Sequence, residues 1–247
     1  MLKKNKKIVS ALKPEGEGAE VKRLFPSNSF NYLDPFVLLD HFYVEPPNEF
    51  APHEHRGFEA ITYMLEGSFL HSDNLGNEEE IPTGGVQAFN AGRGIVHSEA
   101  PGGEGLSRGI QLWINIPKPE KESEPGYQKL NPEDIPRQKQ DNLDVRTIVG
   151  PGSPLKLKTE VIFQEVKIKE TGRFNIQLSP EHQGVIYLLA GELTAESLPV
   201  TIKKDEGYLL TAGSSLELES SSAEAQFIFL AGRPLGEPIK IKGSSVE

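Results

Sequence analysis

The sequence has no cysteine. That excludes disulfides and any thiolate metal site, and it permits a reducing compartment without demanding one. Long apolar runs are missing as well. No stretch reaches the roughly 18 apolar residues of a membrane span. The opening MLKKNKKIVSALKPEGEG has a basic head but no apolar segment long enough for a secretory signal. These absences together suggest a cytoplasmic protein. Positive charge is scarce: 26 Lys and Arg face 36 Asp and Glu, for a formal net charge of −10. Such a chain repels phosphate backbones, which argues against direct binding of nucleic acid. Lys3, Lys4, Lys6 and Lys7 read as a solvated, frayed terminus.

Turn-formers, by contrast, are plentiful. The 24 glycines and 19 prolines divide the chain into short segments, a pattern of strands rather than long helices. FVLLDHF, EAITYMLEG, SFLHSD, VQAFNAGRG, IVHSEA and SRGIQLWINI read as successive strands rich in β-formers. The charged, proline-rich stretch PKPEKESEPGYQKLNPEDIPRQKQDN then reads as a surface connection. Strands resume in the second half, and two of them echo the first. GVIYLLAGEL (Gly184–Leu193) resembles EAITYMLEGSF (Glu59–Phe69), and GYLLTAGSS (Gly207–Ser215) resembles GVQAFNAGRG (Gly85–Gly94). The expectation is two copies of one all-β unit, residues 1–134 and 135–247.

The stretch PHEHRGFEAITYMLEG carries the chemistry. Residues two apart on a strand share a face, so His53 and His55 aim together. His97 and Glu99 in IVHSEA repeat the arrangement. Two neighbouring strands could then converge three imidazoles and a carboxylate on one point, leaving positions open for water, oxygen or substrate. Such a donor set admits iron, manganese, nickel, cobalt, copper or zinc. Glu59 lies an even number of residues from His55 and competes with Glu99 as the carboxylate. His71, before a turn, is read as a surface or supporting hydrogen-bonded residue, His41 as core or groove lining, and His182 as exposed. Arg56 either holds an anionic substrate group or pairs with an acid. AGRG lacks the following helix of a nucleotide loop and reads as a tight turn that delivers His97.

These motifs resemble the cupin superfamily. HEHRGFEAITYMLEG loosely fits its first motif, without the opening glycine and with Gly67 one residue late. GNEEEIPTG fits the start of the second, but Gln87 stands where a histidine is expected. The displaced His97 resembles the pirin family, as do HSDNLGN, QAFNAGRGIVHSE, LDPFVLLDHF and, near the end, AGRPLGEPI. The resemblance implies a bicupin of two face-to-face β-barrels. It implies one metal, Fe(II), in the N-terminal barrel on His53, His55, His97 and Glu99, which sets Glu59 aside. SLELES stands where IVHSEA stood, so the second barrel is expected to be metal-free. Two departures accompany the resemblance. Glu54 replaces the proline usual between the paired histidines, and KIKGSSVE replaces a longer tail that could cover the groove.

The family further implies a quercetin 2,3-dioxygenase-like activity on a flavonol-like small molecule with O2, in which Glu99 either leaves the metal or takes a substrate proton. A monomer is expected, because two barrels would already bury each other's faces. The walls are expected from FVLLDHF and ITYML. The alternative it implies is an iron-dependent, redox-sensing regulator acting through a protein partner.

Overall fold

The computed structural model describes residues 2–16, 18–195 and 201–247. Among them, regular structure is almost entirely strand, with two single 3-10 turns, Lys118–Glu120 and Pro132–Asp134. The strands are β1 (Lys6–Val9), β2 (Ala11–Glu15), β3 (Ala19–Phe25), β4 (Phe36–Val44), β5 (Phe50–His55), β6 (Phe58–Glu66), β7 (Ser68–Asp73) and β8 (Glu78–Pro82). They continue with β9 (Val86–Asn90), β10 (Ile95–Pro101), β11 (Ser107–Asn115), β12 (Gly126–Leu130), β13 (Arg137–Gln140), β14 (Leu143–Val149), β15 (Val161–Lys169) and β16 (Arg173–Gln177). The last are β17 (Gln183–Ala190), β18 (Glu192–Ala195), β19 (Ile202–Lys203), β20 (Glu206–Leu210), β21 (Ser215–Ser220), β22 (Glu224–Gly232), β23 (Ile241–Lys242) and β24 (Ser245–Val246). Glu196 and Ser197, which close the strand-rich stretch GVIYLLAGELTAES in sequence, lie outside the described residues.

The chain packs into two compact units, and each has the same plan. In the first, a seven-stranded sheet ordered β12-β9-β6-β11-β4-β3-β2 accompanies a four-stranded sheet ordered β5-β10-β7-β8. In the second, the orders are β1-β20-β17-β22-β15-β14-β13 and β16-β21-β18-β19. Strand by strand, β17 corresponds to β6 and β20 to β9, the two pairs whose sequences echo each other. The turns after β6 and β17 are equivalent too. Gly67 and Gly191 both adopt left-handed φ, +69° and +75°. A Cβ at either would lie 2.6 or 2.1 Å from a backbone carbonyl oxygen, of Leu106 and Glu224 respectively, so only glycine fits.

Three short segments depart from a division at residue 134. The segment ending at Ser10 belongs to the second unit, whereas Leu155–Thr159 and Leu235–Glu247 belong to the first. Lys6 and Lys7 therefore lie in a paired strand, not a frayed end. Lys6 sits opposite Leu209 and Lys7 opposite Tyr208. Nor is the proline-rich connection merely a linker. Gly126–Leu130 forms the edge strand β12 on β9, because ladder hydrogen bonds come from the backbone and need no aliphatic side chains.

β6 and β4 are nearly continuous buried runs, as central strands covered on both faces should be. Phe42 and Phe69 stack at 4.9 Å between ring centroids in the first unit. The second unit is filled across its middle by Ile176, Leu216, Leu218, Phe227 and Phe229.

Candidate metal centre

β5 and β10 are antiparallel neighbours, with His53 opposite His97 and His55 opposite Ile95. A register shift between His97 and Glu99 sets Glu99 opposite Phe50. On the other side of β10, β7 puts Asp73 opposite His97 and His71 opposite Glu99. Three adjacent strands thus each offer a pair of side chains two residues apart. Strand alternation turns all three pairs to one face.

The His53, His55 and His97 rings meet, with centroids 4.5 Å (53–55), 4.5 Å (53–97) and 5.0 Å (55–97) apart. Their ligand atoms lie within 4.8 Å of one another. His53 Nδ1 donates to the Ala51 carbonyl at 2.7 Å, and His55 Nδ1 to the Ser244 carbonyl at 3.1 Å. A carbonyl only accepts, so each Nδ1 carries the proton and each Nε2 presents a lone pair. Burial, followed by the neighbouring His53, lowers the His55 pKa to about 4. Burial and the surrounding His53, His55 and His71 lower that of His97 further. Both rings are neutral at pH 7. Among the described residues, neither nitrogen of His97 has a hydrogen-bond partner, although both are buried. Leaving such atoms unsatisfied costs about 1–3 kcal/mol each, a cost that a bound cation would remove at one of the two.

Glu99 is buried beside them. Its Oε1 accepts from Gln87 Nε2 and from Thr62 Oγ1, the latter at 3.1 Å. The Tyr127 hydroxyl donates to Gln87 Oε1 at 3.3 Å, which turns the Gln87 amide nitrogen toward Glu99. Oε2 accepts no hydrogen bond among the described residues. Burial raises the Glu99 pKa to about 7 against the lowering effect of Thr62 and Gln87. A second group of ligand atoms within 4.8 Å comprises His71, His97 and Glu99. His71 is therefore not a surface residue. It is buried, stacked on Tyr127 at 4.5 Å, and bonded through Nε2 to Asp73 at 3.1 Å.

His53, His55 and Glu99 line a cavity of about 250 Å³. Leu38 and Phe42 of β4, with Val21, Phe50 and Trp113, supply apolar wall. β6 contributes through Thr62 behind Glu99 rather than through the lining, with Phe58, Ala60 and Met64 committed to the core. Ile241, Gly243 and Ser244 also line the cavity, so the KIKGSSVE segment covers part of it.

The remaining candidates lie elsewhere. Glu59 is buried but accepts backbone N–H from Lys158 at 2.7 Å and Thr159 at 3.3 Å. His41 is fully buried, with Nδ1 3.1 Å from the Tyr43 hydroxyl. His182 is half-buried and bonded to the Ser179 hydroxyl. Arg56 pairs with Glu122 at 2.7 Å, the acid-pairing reading of that residue. Ala91–Gly94 is the expected turn, closed by the Gly94 N–H to the Ala91 carbonyl at 2.8 Å. Sequence reasoning missed His71–Asp73 as a third pair two apart. It also missed Gln87 as the residue that holds Glu99, although its place in the motif marked it.

The family profile Pirin matches residues 18–114, and that of the Pirin C-terminal cupin domain matches residues 163–246. Over 245 residues the chain is 36% identical to "Pirin-like protein 2" of Arabidopsis thaliana, covering 95% of this chain and 76% of that protein. The chain belongs to the pirin family. A second relative, "Putative quercetin 2,3-dioxygenase PA3240" of Pseudomonas aeruginosa, is 37% identical over 91% of this chain and 84% of its own length. Among solved structures, quercetin 2,3-dioxygenase from Acinetobacter baumannii superposes with a TM-score of 0.86 at 23% identity, covering 98% of this chain and 90% of that one. The pirin fold, an all-β bicupin, is thereby established for this chain.

Proposed function

We propose that the chain is a metal-dependent oxygenase that opens a flavonol such as quercetin, or a related enol, with O2. His53, His55, His97 and Glu99 would hold one divalent ion, Fe(II) by preference. The observation that carries this reading is the set of three converging imidazoles, with His97 buried and without a hydrogen-bond partner among the described residues, beside a largely apolar cavity. The relative from Pseudomonas aeruginosa supports the choice of substrate class. A bound ion would supply Lewis acidity and, as iron, a redox-active centre for O2.

The chain's own residues do the rest. His53 and His55 are fixed in one tautomer by carbonyls, so their lone pairs need no rearrangement on loading. Glu99 is tethered through Oε1, which leaves Oε2 as the oxygen that can bind the ion or take the enol proton. Val21, Leu38, Phe42 and Trp113 would bury the aromatic part of the substrate and exclude water.

The test is anaerobic reconstitution with Fe(II), metal content by mass spectrometry, and oxygen uptake with quercetin. One equivalent of metal with quercetin-dependent uptake is expected, and His97→Ala should lose both. Retained metal in that variant would refute the ligand set. One equivalent without uptake would refute quercetin as the substrate and favour another enol or the redox-regulator alternative.

A further inference from the structure

A second depression, of about 560 Å³, opens on the sheet β5-β10-β7-β8, and its floor includes His71 and Glu99. Its rim carries Glu49, Glu78, Glu79 and Glu80. Of these, Glu79 pairs with Lys129 at 2.8 Å and Glu80 accepts from the Ser68 hydroxyl at 2.7 Å; Glu49, Glu78 and Glu80 have no cationic partner among the described residues, so the rim remains negative. Acidic rims alone are common. What distinguishes this one is the histidine at its base.

His71 is only 2% exposed. Its Nε2 faces Asp73 Oδ2, while Asp73 Oδ1 accepts from the backbone of Leu75 and Asn77. Asp73 thus serves as an acceptor throughout, and Nε2 of His71 must be the protonated nitrogen. Nδ1 is left with a bare lone pair, and it is buried without a partner among the described residues. A carboxylate behind an imidazole whose other nitrogen is free is the arrangement that supports metal-ligating histidines.

We propose that His71, His97 and Glu99 form a second station for a divalent cation, at the inner end of the acidic depression, through which the ion reaches His53 and His55. The proposal rests on the metal-binding reading above. Its geometric basis is the sharing of residues. His97 belongs to both ligand groups, and Glu99 lines both the cavity and the depression. An ion would keep His97 and Glu99 while exchanging His71 for His53 and His55. Substrate and metal would then approach from different openings, and the negative rim would concentrate cations at theirs.

Co(II), followed by its visible absorption, is the probe. Wild type should bind one tight equivalent. His53→Ala/His55→Ala should still bind one equivalent, more weakly and with an altered spectrum, and adding His71→Gln should abolish it. Glu78→Gln/Glu79→Gln/Glu80→Gln should keep wild-type stoichiometry but associate about tenfold more slowly at low ionic strength, with the difference vanishing at high salt. Circular dichroism checks folding, and the rim variant decides the matter alone should the histidine variants fail to fold. A folded His53→Ala/His55→Ala protein that binds no Co(II), or a rim variant loading at the wild-type rate, overturns the station while leaving the three-histidine site intact. Absence of Co(II) binding by wild type overturns both.

Discussion

Glu99 shows how much of the site is decided one side chain at a time. A buried carboxylate is costly unless held, and here Gln87, Thr62 and Tyr127 form a chain that holds one oxygen and leaves the other open. Gln87→Ala should therefore weaken metal affinity by about 10- to 100-fold, measured by competition with a chelator, without removing any ligand. Glu59 is the control. Its burial raises its pKa from 4.5 to about 7 against the backbone N–H groups of Lys158 and Thr159. A pKa raised on folding stabilises the native state below the unfolded value, and that contribution is lost as pH rises through the folded one. Metal-free wild type should thus lose on the order of 3 kcal/mol between about pH 4.5 and 7 from this group. Glu59→Gln, neutral throughout, should lack that component in denaturant titrations across the same range, while keeping one equivalent of metal.

At the scale of elements, the site belongs to three neighbouring strands, and the sequence disclosed two of them. The pairs His53/His55 and His97/Glu99 were legible because alternation on a strand is a local rule, and residues two apart carry it in plain view. The third pair was not, because Asp73 before NLGN also reads as an ordinary turn residue, and it does cap that turn through Leu75 and Asn77. β12 was hidden for a different reason: a proline-rich, charged stretch gives no apolar alternation, yet Tyr127 from it reaches both Gln87 and His71. The repeat was visible in Gly67 and Gly191, where backbone geometry permits no other residue. Ser244 could not have been anticipated, since it lies 189 residues from the histidine it orients. Removing residues 240–247 should consequently lower metal affinity by about tenfold or more, seen as a right-shifted Fe(II) or Co(II) titration with near-native circular dichroism.

The whole molecule is one strand plan used twice with opposite interiors. Where β10 buries His97 and Glu99, β21 buries Leu216 and Leu218, and the second unit's middle is continuous hydrocarbon. The full chain carrying His53→Ala, His55→Ala and His97→Ala should therefore bind no stoichiometric metal; one tight equivalent would mean that the second unit ligates after all. The crossing segments make a further demand. Fragments cut at residue 134 would each lack strands or covering segments that the other holds, so residues 1–134 should bind Fe(II) weakly alone and recover affinity when mixed with 135–247. Synthesis faces the same constraint in time. Most of the metal-binding barrel is made before the bulk of the second unit, yet its covering segment Leu235–Glu247 follows that unit. At ordinary translation speeds of about 5–20 residues per second, His55 waits roughly 10–40 s for the Ser244 carbonyl that sets its tautomer, so a properly oriented metal site arises only after the whole second unit has been made.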